Sequence, residues 1–195
     1  GTPAISDPGA RVVAAVRAAG FVVSPLPGAN AAAAAVSVSG FEAPHFLFYG
    51  FLPARAAARR AALEAVATHP YTLVFYEAPH RVSACIDDMA VVLGGQRRIL
   101  IARELTKLFE QTHLSALADA GAWLAVDENH QRGEFVLVVE GAPYREACVV
   151  DEDRALRALI EELPLKQAVA LTVKITGGNR NALYDRALRF KRGEE

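Results

Sequence analysis

Cysteine is scarce in this chain, long apolar runs are missing, and neither sign of charge dominates. The two cysteines, Cys85 and Cys148, give no metal-ligand spacing and no disulfide framework, which excludes a disulfide-built secreted scaffold and makes a reducing, cytoplasmic setting the default. The Ala-rich run from Ala31 to Val38 is far shorter than the ~20 apolar residues a bilayer span needs, and no signal-peptide pattern opens the chain, so no membrane role is expected. With 21 Lys and Arg against 22 Asp and Glu, the net charge is −1. No global field therefore draws the chain to nucleic acid, and any such binding has to rest on a local basic patch. The common enzyme signatures are absent too: no Gly-x-Gly-x-x-Gly after a strand, no Walker loop, no His-Glu-x-x-His and no Gly-x-Ser-x-Gly elbow.

What is present is enough apolar sequence for one good core and a small second unit: 195 residues, 52% of them hydrophobic. Apolar runs bounded by turn residues predict strands over Phe21 to Leu26, Phe46 to Phe51, Tyr71 to Tyr76, Arg98 to Ala102 and Glu134 to Glu140. Helices are predicted between them. One starts at Pro8 behind an Asp7 cap, with Val12, Val13 and Val16 as its apolar face. One of small residues follows the N-cap Asn30, and others run over Ala54 to Ala67, His80 to Leu93 and about Leu114 to Ala125. This alternation predicts an α/β domain over residues 1–143, with a parallel or mixed sheet covered by helices. Beyond Gly141-Ala142-Pro143 the strand signals stop, and residues 144–195 read as a small helical unit. The basic excess lies in its later part: from Lys166 onward come Lys166, Lys174, Arg180, Arg186, Arg189, Lys191 and Arg192 against Asp185, Glu194 and Glu195.

Three strands deliver polar groups. Thr72 to Tyr76 ends in Glu77-Ala78-Pro79-His80-Arg81, Ile99 to Ala102 in Arg103-Glu104-Leu105-Thr106-Lys107, and Phe135 to Val139 lies between Gly133-Glu134 and Glu140-Gly141. Ligands of open α/β sheets gather at strand ends, so these are the first candidates for a site. Pro27-Gly28-Ala29-Asn30-Ala31 reads either as the start of a tightly packed helix or as part of a ligand wall. Arg55, Arg59 and Arg60 share a helix face that is either solvated or in contact with phosphate.

An ordered set of motifs goes further. Gly-Thr-Pro-Ala-Ile-Ser-Asp-Pro-Gly (1–9), Pro-Leu-Pro-Gly (25–28), Gly-Phe-Leu-Pro (50–53), Phe-Tyr-Glu-Ala-Pro-His-Arg (75–81), Ala-Arg-Glu-Leu-Thr-Lys (102–107), Gly-Glu-Phe-Val-Leu-Val-Val-Glu-Gly (133–141), Leu-Pro-Leu-Lys-Gln-Ala (163–168) and Thr-Gly-Gly-Asn-Arg-Asn-Ala-Leu-Tyr (176–184) occur in this order. Together they closely resemble the small-subunit ribosomal RNA ribose 2′-O-methyltransferases of the tetrapyrrole-methylase superfamily. The resemblance implies S-adenosylmethionine as cofactor, a cytidine 2′-hydroxyl in the decoding region of 16S ribosomal RNA as target, the small ribosomal subunit as partner, and a homodimer. It also implies a cleft between two α/β domains, of which the first, carrying a Pro-Ile-Gly-Asn type loop, precedes the glycine that opens this chain. Carried over residue by residue, Gly1, Thr2 and Pro3, then Asn30 and Ala31, Tyr76 and Glu77, and Leu105 and Glu134 match cofactor contacts. Asn30 and Ala31 depart from the Pro-Cys or Thr-Ala pair expected there.

Methyl transfer from a sulfonium to a ribose hydroxyl needs alignment first, and then a proton acceptor and a cation for the developing oxyanion. Glu77 or Glu104 is expected to accept the proton, and Lys107 or Arg103 to stabilise the oxygen. Ordinary ion pairs, Glu77 with Arg81 and Glu104 with its basic neighbours, explain the same residues without chemistry. RNA contacts are expected at Arg55, Arg59, Lys166, Arg180, Arg186 and Arg189. Two other readings stay open: a tetrapyrrole or diphthine-type methylase, and a non-catalytic RNA-binding or dimerising remnant.

Overall fold

The structure is a computed structural model that describes residues 2–42, 44–143 and 151–192. The chain divides into two compact units, 1–143 and 144–195.

The first unit is built on a five-stranded mixed sheet. Its strands are β1 (Phe46–Phe51), β2 (Thr72–Glu77), β3 (Arg98–Arg103), β4 (Gln111–Ala116) and β5 (Phe135–Val139), in the order β1-β2-β5-β3-β4. Only β1 and β2 pair in parallel; β5 runs antiparallel to both β2 and β3, and β3 antiparallel to β4. The three inner strands are apolar on both faces because both faces are covered.

Strand alternation assigns every inner side chain to one of two faces. Leu73, Phe75, Ile99, Ile101, Phe135, Leu137 and Val139 point to the back. There they meet Leu63 and Val66 of α3 (Ala56–Val66), Val82, Cys85, Ile86 and Met89 of α4 (Val82–Leu93), and Leu117, Ala120 and Leu124 of α5 (Leu117–Val126). Val74, Leu100, Ala102, Val136 and Val138 point to the front and meet Ala32 and Ala35 of α2 (Ala31–Ser37). The back layer is thick and large-residued, the front thin and small-residued.

Three elements differ from the sequence reading. Phe21 to Leu26 forms no strand, and Phe21, Val22 and Leu26 stand exposed, because an apolar run becomes a strand only with a pairing partner. The first helix, α1 (Ala10–Ala18), starts two residues later than expected and buries none of its side chains. Asp7 does not cap it; its carboxylate accepts from the Ala4 amide instead. The edge strand β4 lies where a polar stretch and the start of a helix were expected.

The second unit is a bundle of α6 (Glu152–Glu162), α7 (Leu165–Thr176) and α8 (Arg180–Arg192) around Leu156, Val169, Leu183 and Ala187. Asp151 caps α6 by accepting from the amides of Asp153 and Arg154, and Gly177 ends α7 in the left-handed region at φ 74°.

Candidate active site

The front face gathers most of the predicted cofactor residues. Asn30 caps α2 through its side-chain oxygen, which accepts from the Ala33 amide at 3.1 Å. Ala32 and Ala35 let the helix backbone lie close on the sheet, in one apolar cluster with Tyr76, Phe48 and Leu105. The rings of Phe48 and Phe51 meet Tyr76 edge-on at 4.9 and 5.8 Å. Thr2 ties the opening loop to the turn before α2: its amide donates to the Ala29 carbonyl at 2.8 Å, and its hydroxyl lies 3.3 and 3.2 Å from the carbonyls of Gly28 and Ala29. The same loop reaches the end of β1. Gly50 sits at a register shift with φ 81°, and a Cβ there would lie 3.3 Å from the Ser6 hydroxyl. Pro3, Asn30 and Ala31 stand at or near the surface of this wall, whereas Gly1 lies outside the described residues.

A charged triangle closes the strand ends. The Glu104 amide donates to the Glu134 carbonyl at 3.0 Å, and the Glu134 amide donates back to the Glu104 carboxylate at 2.8 Å. Lys107 donates to both carboxylates at 2.9 Å. The turn is held by unusual backbone: Glu104 and Thr106 have φ of 51° and 66°, and Gly133 has φ 94°. A Cβ on Gly133 would come 2.5 Å from the Glu104 side chain, so only glycine fits. Hydrogen bonds from Lys107 and from the Glu134 backbone hold the Glu104 carboxyl below the usual carboxylate range. The carboxylates of Glu134 and Glu104 hold the Lys107 ammonium above its ordinary value. Glu134 is the open member, with its side chain 84% exposed. The triangle carries two negative charges and one positive.

Four predicted residues are placed elsewhere, and their roles are corrected. Glu77 points to the back face, opposite Tyr76, with a side chain that has no exposure. Its carboxylate accepts from the Ala78 amide and from Arg81, so only its backbone faces the candidate site and it is not a proton acceptor there. Arg103 also points back and is 8% exposed, donating to the Arg132 carbonyl and to Gln111, so it cannot reach an oxyanion on the front. Arg59 is 5% exposed and paired with Asp88, with further bonds to the carbonyls of Ala54 and Ala84, so it is an internal tie and not an RNA contact. Arg186 is taken up by Glu152 and Asp153 within its own bundle. Arg55, Lys166, Arg180 and Arg189 are exposed.

The sequence reading missed Phe48, Phe51 and the part played by Gly133. The signal for the last was its place directly before Glu134 and opposite a turn dense in charge. A depression of about 410 Å³ lined by Pro79, His80, Glu128, Gln131 and Arg132 contains none of the predicted site residues. Among the described residues, no His, Cys, Asp and Glu group could hold a metal ion, and no helix is long and apolar enough to cross a membrane.

Comparison with known proteins agrees with the fold. Residues 1–121 match the family model described as Tetrapyrrole (Corrin/Porphyrin) Methylases, and residues 146–191 match the one described as the RsmI C-terminal HTH domain. A Pseudomonas aeruginosa protein named Ribosomal RNA small subunit methyltransferase I is 49% identical over 191 residues, covering 96% of this chain and 68% of the relative. A Xylella fastidiosa protein of the same name is 48% identical over 185 residues, covering 94% of this chain and 68% of the relative. This chain thus spans about two thirds of their length. Among solved structures, the methyltransferase CobJ superposes with a TM-score of 0.56 at 21% identity, over 75% of this chain and 64% of that one. A uroporphyrin-III C-methyl transferase from Thermus thermophilus, complexed with S-adenosyl homocysteine, superposes with a TM-score of 0.50 at 18% identity over 72% of this chain and 62% of that one.

Proposed function

We propose, from the premise that this chain belongs to the tetrapyrrole methylase family and within it to the ribosomal RNA small subunit methyltransferase I group of S-adenosylmethionine-dependent enzymes, that it serves methylation of the ribose 2′-hydroxyl of a cytidine in the decoding region of 16S ribosomal RNA. On this reading residues 1–143 are the second α/β domain of the methylase, and residues 144–195 are a helical extension whose basic part, from Lys166 onward, reaches RNA. The observation that carries it is the coexistence, in one chain, of a methylase sheet and a separate helical unit matched by the RsmI C-terminal HTH model. A tetrapyrrole or diphthine-type methylase draws support from the fold likeness alone. A cytoplasmic homodimer acting on the small ribosomal subunit belongs to the same proposal.

The donor set fits the cofactor. Tyr76, Phe48 and Leu105 offer partly exposed apolar groups for an adenosyl group, and the net negative triangle of Glu104, Lys107 and Glu134 suits a sulfonium cation. Thr2, Pro3, Asn30, Ala31 and the backbone of Tyr76, Glu77, Leu105 and Glu134 would hold it. When bound, it supplies an activated methyl group, and its own leaving group drives the transfer.

What these residues add is chiefly orientation, which can contribute roughly 7–11 kcal/mol. Glu104 faces the front but is a weak base at neutral pH, because Lys107 and the Glu134 amide stabilise its charged form. It is therefore suited to accepting a hydrogen bond from the ribose hydroxyl, orienting it, and taking its proton late, as the C–O bond forms, the C–S bond breaks and that proton turns acidic. Lys107 stays protonated and offsets charge that develops on the oxygen. Lys166, Arg180, Arg189 and Arg55 are the exposed cations assigned to the RNA backbone.

The test is transfer of labelled methyl from S-adenosylmethionine to small subunits that lack the modification, followed by nucleoside analysis. This chain is compared with one extended to the full length of its relatives. Label in a 2′-O-methylcytidine is the expected result. Label in a tetrapyrrole or protein acceptor, with none in RNA, would overturn the proposal.

A further inference from the structure

Behind the charged triangle lies a chain of hydrogen bonds that touches no predicted cofactor contact. Arg103 donates from Nη1 to the Arg132 carbonyl at 3.1 Å and from Nη2 to Gln111 Oε1 at 3.2 Å. The Gln111 amide nitrogen is 3.4 Å from His130 Nε2, and His130 Nδ1 is 2.8 Å from the Trp123 carbonyl. A carbonyl can only accept, so Nδ1 carries the proton and Nε2 is left as the acceptor for Gln111. This fixes the Gln111 amide with its oxygen toward Arg103. The His130 ring is itself clamped, stacked on Trp123 at 4.1 Å, with His113 stacked on the far side of Trp123 at 4.5 Å.

The ends of the chain matter. Arg103 and Gln111 are register partners that flank the Glu104 to Glu110 turn, and Arg132 directly precedes Gly133 and Glu134. One guanidinium therefore joins the points from which the triangle's two backbone segments depart. Keeping it there is costly, since Arg103 Nε is buried without a hydrogen-bond partner.

We infer that Arg103, Gln111 and His130 form a positioning chain that sets the Glu104 to Lys107 turn and Gly133-Glu134 against each other from behind the sheet. The inference rests on the reading of the front face as the cofactor site. None of the three residues touches the reacting groups; they act through the turn.

The experiment is amide hydrogen exchange across this chain and three variants, with S-adenosylmethionine affinity measured by calorimetry on the same samples. His130→Phe keeps a ring on Trp123 but removes both nitrogens, Gln111→Leu removes both links of the side chain, and Gln111→Glu keeps an acceptor for Arg103 but has no N–H for His130. His130→Phe is expected to speed exchange at residues 104–107 and 133–134 by about five- to tenfold, the loss of roughly one hydrogen bond, and Gln111→Leu by more. β2 should be unchanged, Gln111→Glu should match His130→Phe because it breaks the same link, and cofactor affinity should fall in step with the faster exchange. Unchanged exchange at 104–107 in His130→Phe, or exchange in Gln111→Glu as fast as in Gln111→Leu, would overturn the inference. If the unaltered chain binds no cofactor, the cofactor reading of the front face fails, while the exchange rates still decide the positioning chain.

Discussion

The two faces of the sheet are made from the same strands and do opposite things. The back is filled by Leu, Ile, Phe and Met against three helices, and it hides even its charges, as the Arg59–Asp88 pair shows. The front uses Ala32 and Ala35 where the back uses Leu63 and Ile86, and it leaves Tyr76 and Leu105 half-buried. Large residues make a thick core; small ones bring α2 close against the sheet. The contrast explains why neighbours in sequence have unrelated roles. Tyr76 belongs to the candidate site while Glu77 is a buried partner of Arg81, and Glu104 bonds to Lys107 in the charged triangle while Arg103 donates to the Arg132 carbonyl behind it.

Breaking the back should cost most. Arg59→Ala leaves Asp88 buried with only Arg60, and a loss of about 3–5 kcal/mol is expected in thermal or denaturant unfolding. If Arg59 served RNA instead, stability would hold and RNA affinity would fall. Next comes the turn: Gly133→Ala forces a Cβ against Glu104 at a positive φ, at a cost of about 1–3 kcal/mol. Cofactor affinity, read by calorimetry, should fall with it. Overfilling the front with Ala35→Leu is expected to cost a comparable ~1–3 kcal/mol in denaturant unfolding and to weaken cofactor binding, because α2 must lift from the sheet.

Smaller effects sharpen the electrostatics. Glu104 has a folded pKa below its unfolded value, so its contribution is present above the ordinary carboxylate range and is lost as pH falls through the lowered value. Lys107→Ala should raise the Glu104 titration midpoint toward normal, measured by carboxyl-carbon NMR; an unmoved midpoint would assign the shift to the Glu134 amide alone. In the helical unit, replacing Lys166, Arg180 and Arg189 with Ala should flatten the logarithmic salt dependence of RNA binding, by about 0.7 in slope for each phosphate no longer neutralised. Arg186→Ala should instead destabilise the bundle, because its guanidinium joins α8 to α6.

Much of this was legible in the chain. The buried strands announce themselves as apolar runs, and the ordered motifs carried the family. Strand alternation alone could have separated Tyr76 from Glu77, since consecutive residues face opposite ways. Other features depend on distant partners. Gln111 to Ala116 alternates weakly as an edge strand and takes its identity from pairing with β3, while Phe21 to Leu26 has strand composition but no partner among the described residues. The i, i+4 spacing put Arg55 and Arg59 on one helix face but could not say that this face turns inward at Arg59, toward Asp88 of α4.

The most direct test of the front-face assignment is an amide-protection map with and without S-adenosyl homocysteine. The account predicts added protection at residues 2–6, 28–33, 76–77, 104–107 and 133–134, with α3, α4 and α5 unchanged. Protection confined to α4 and α5, with none at 104–107, would contradict it and move the site to the back.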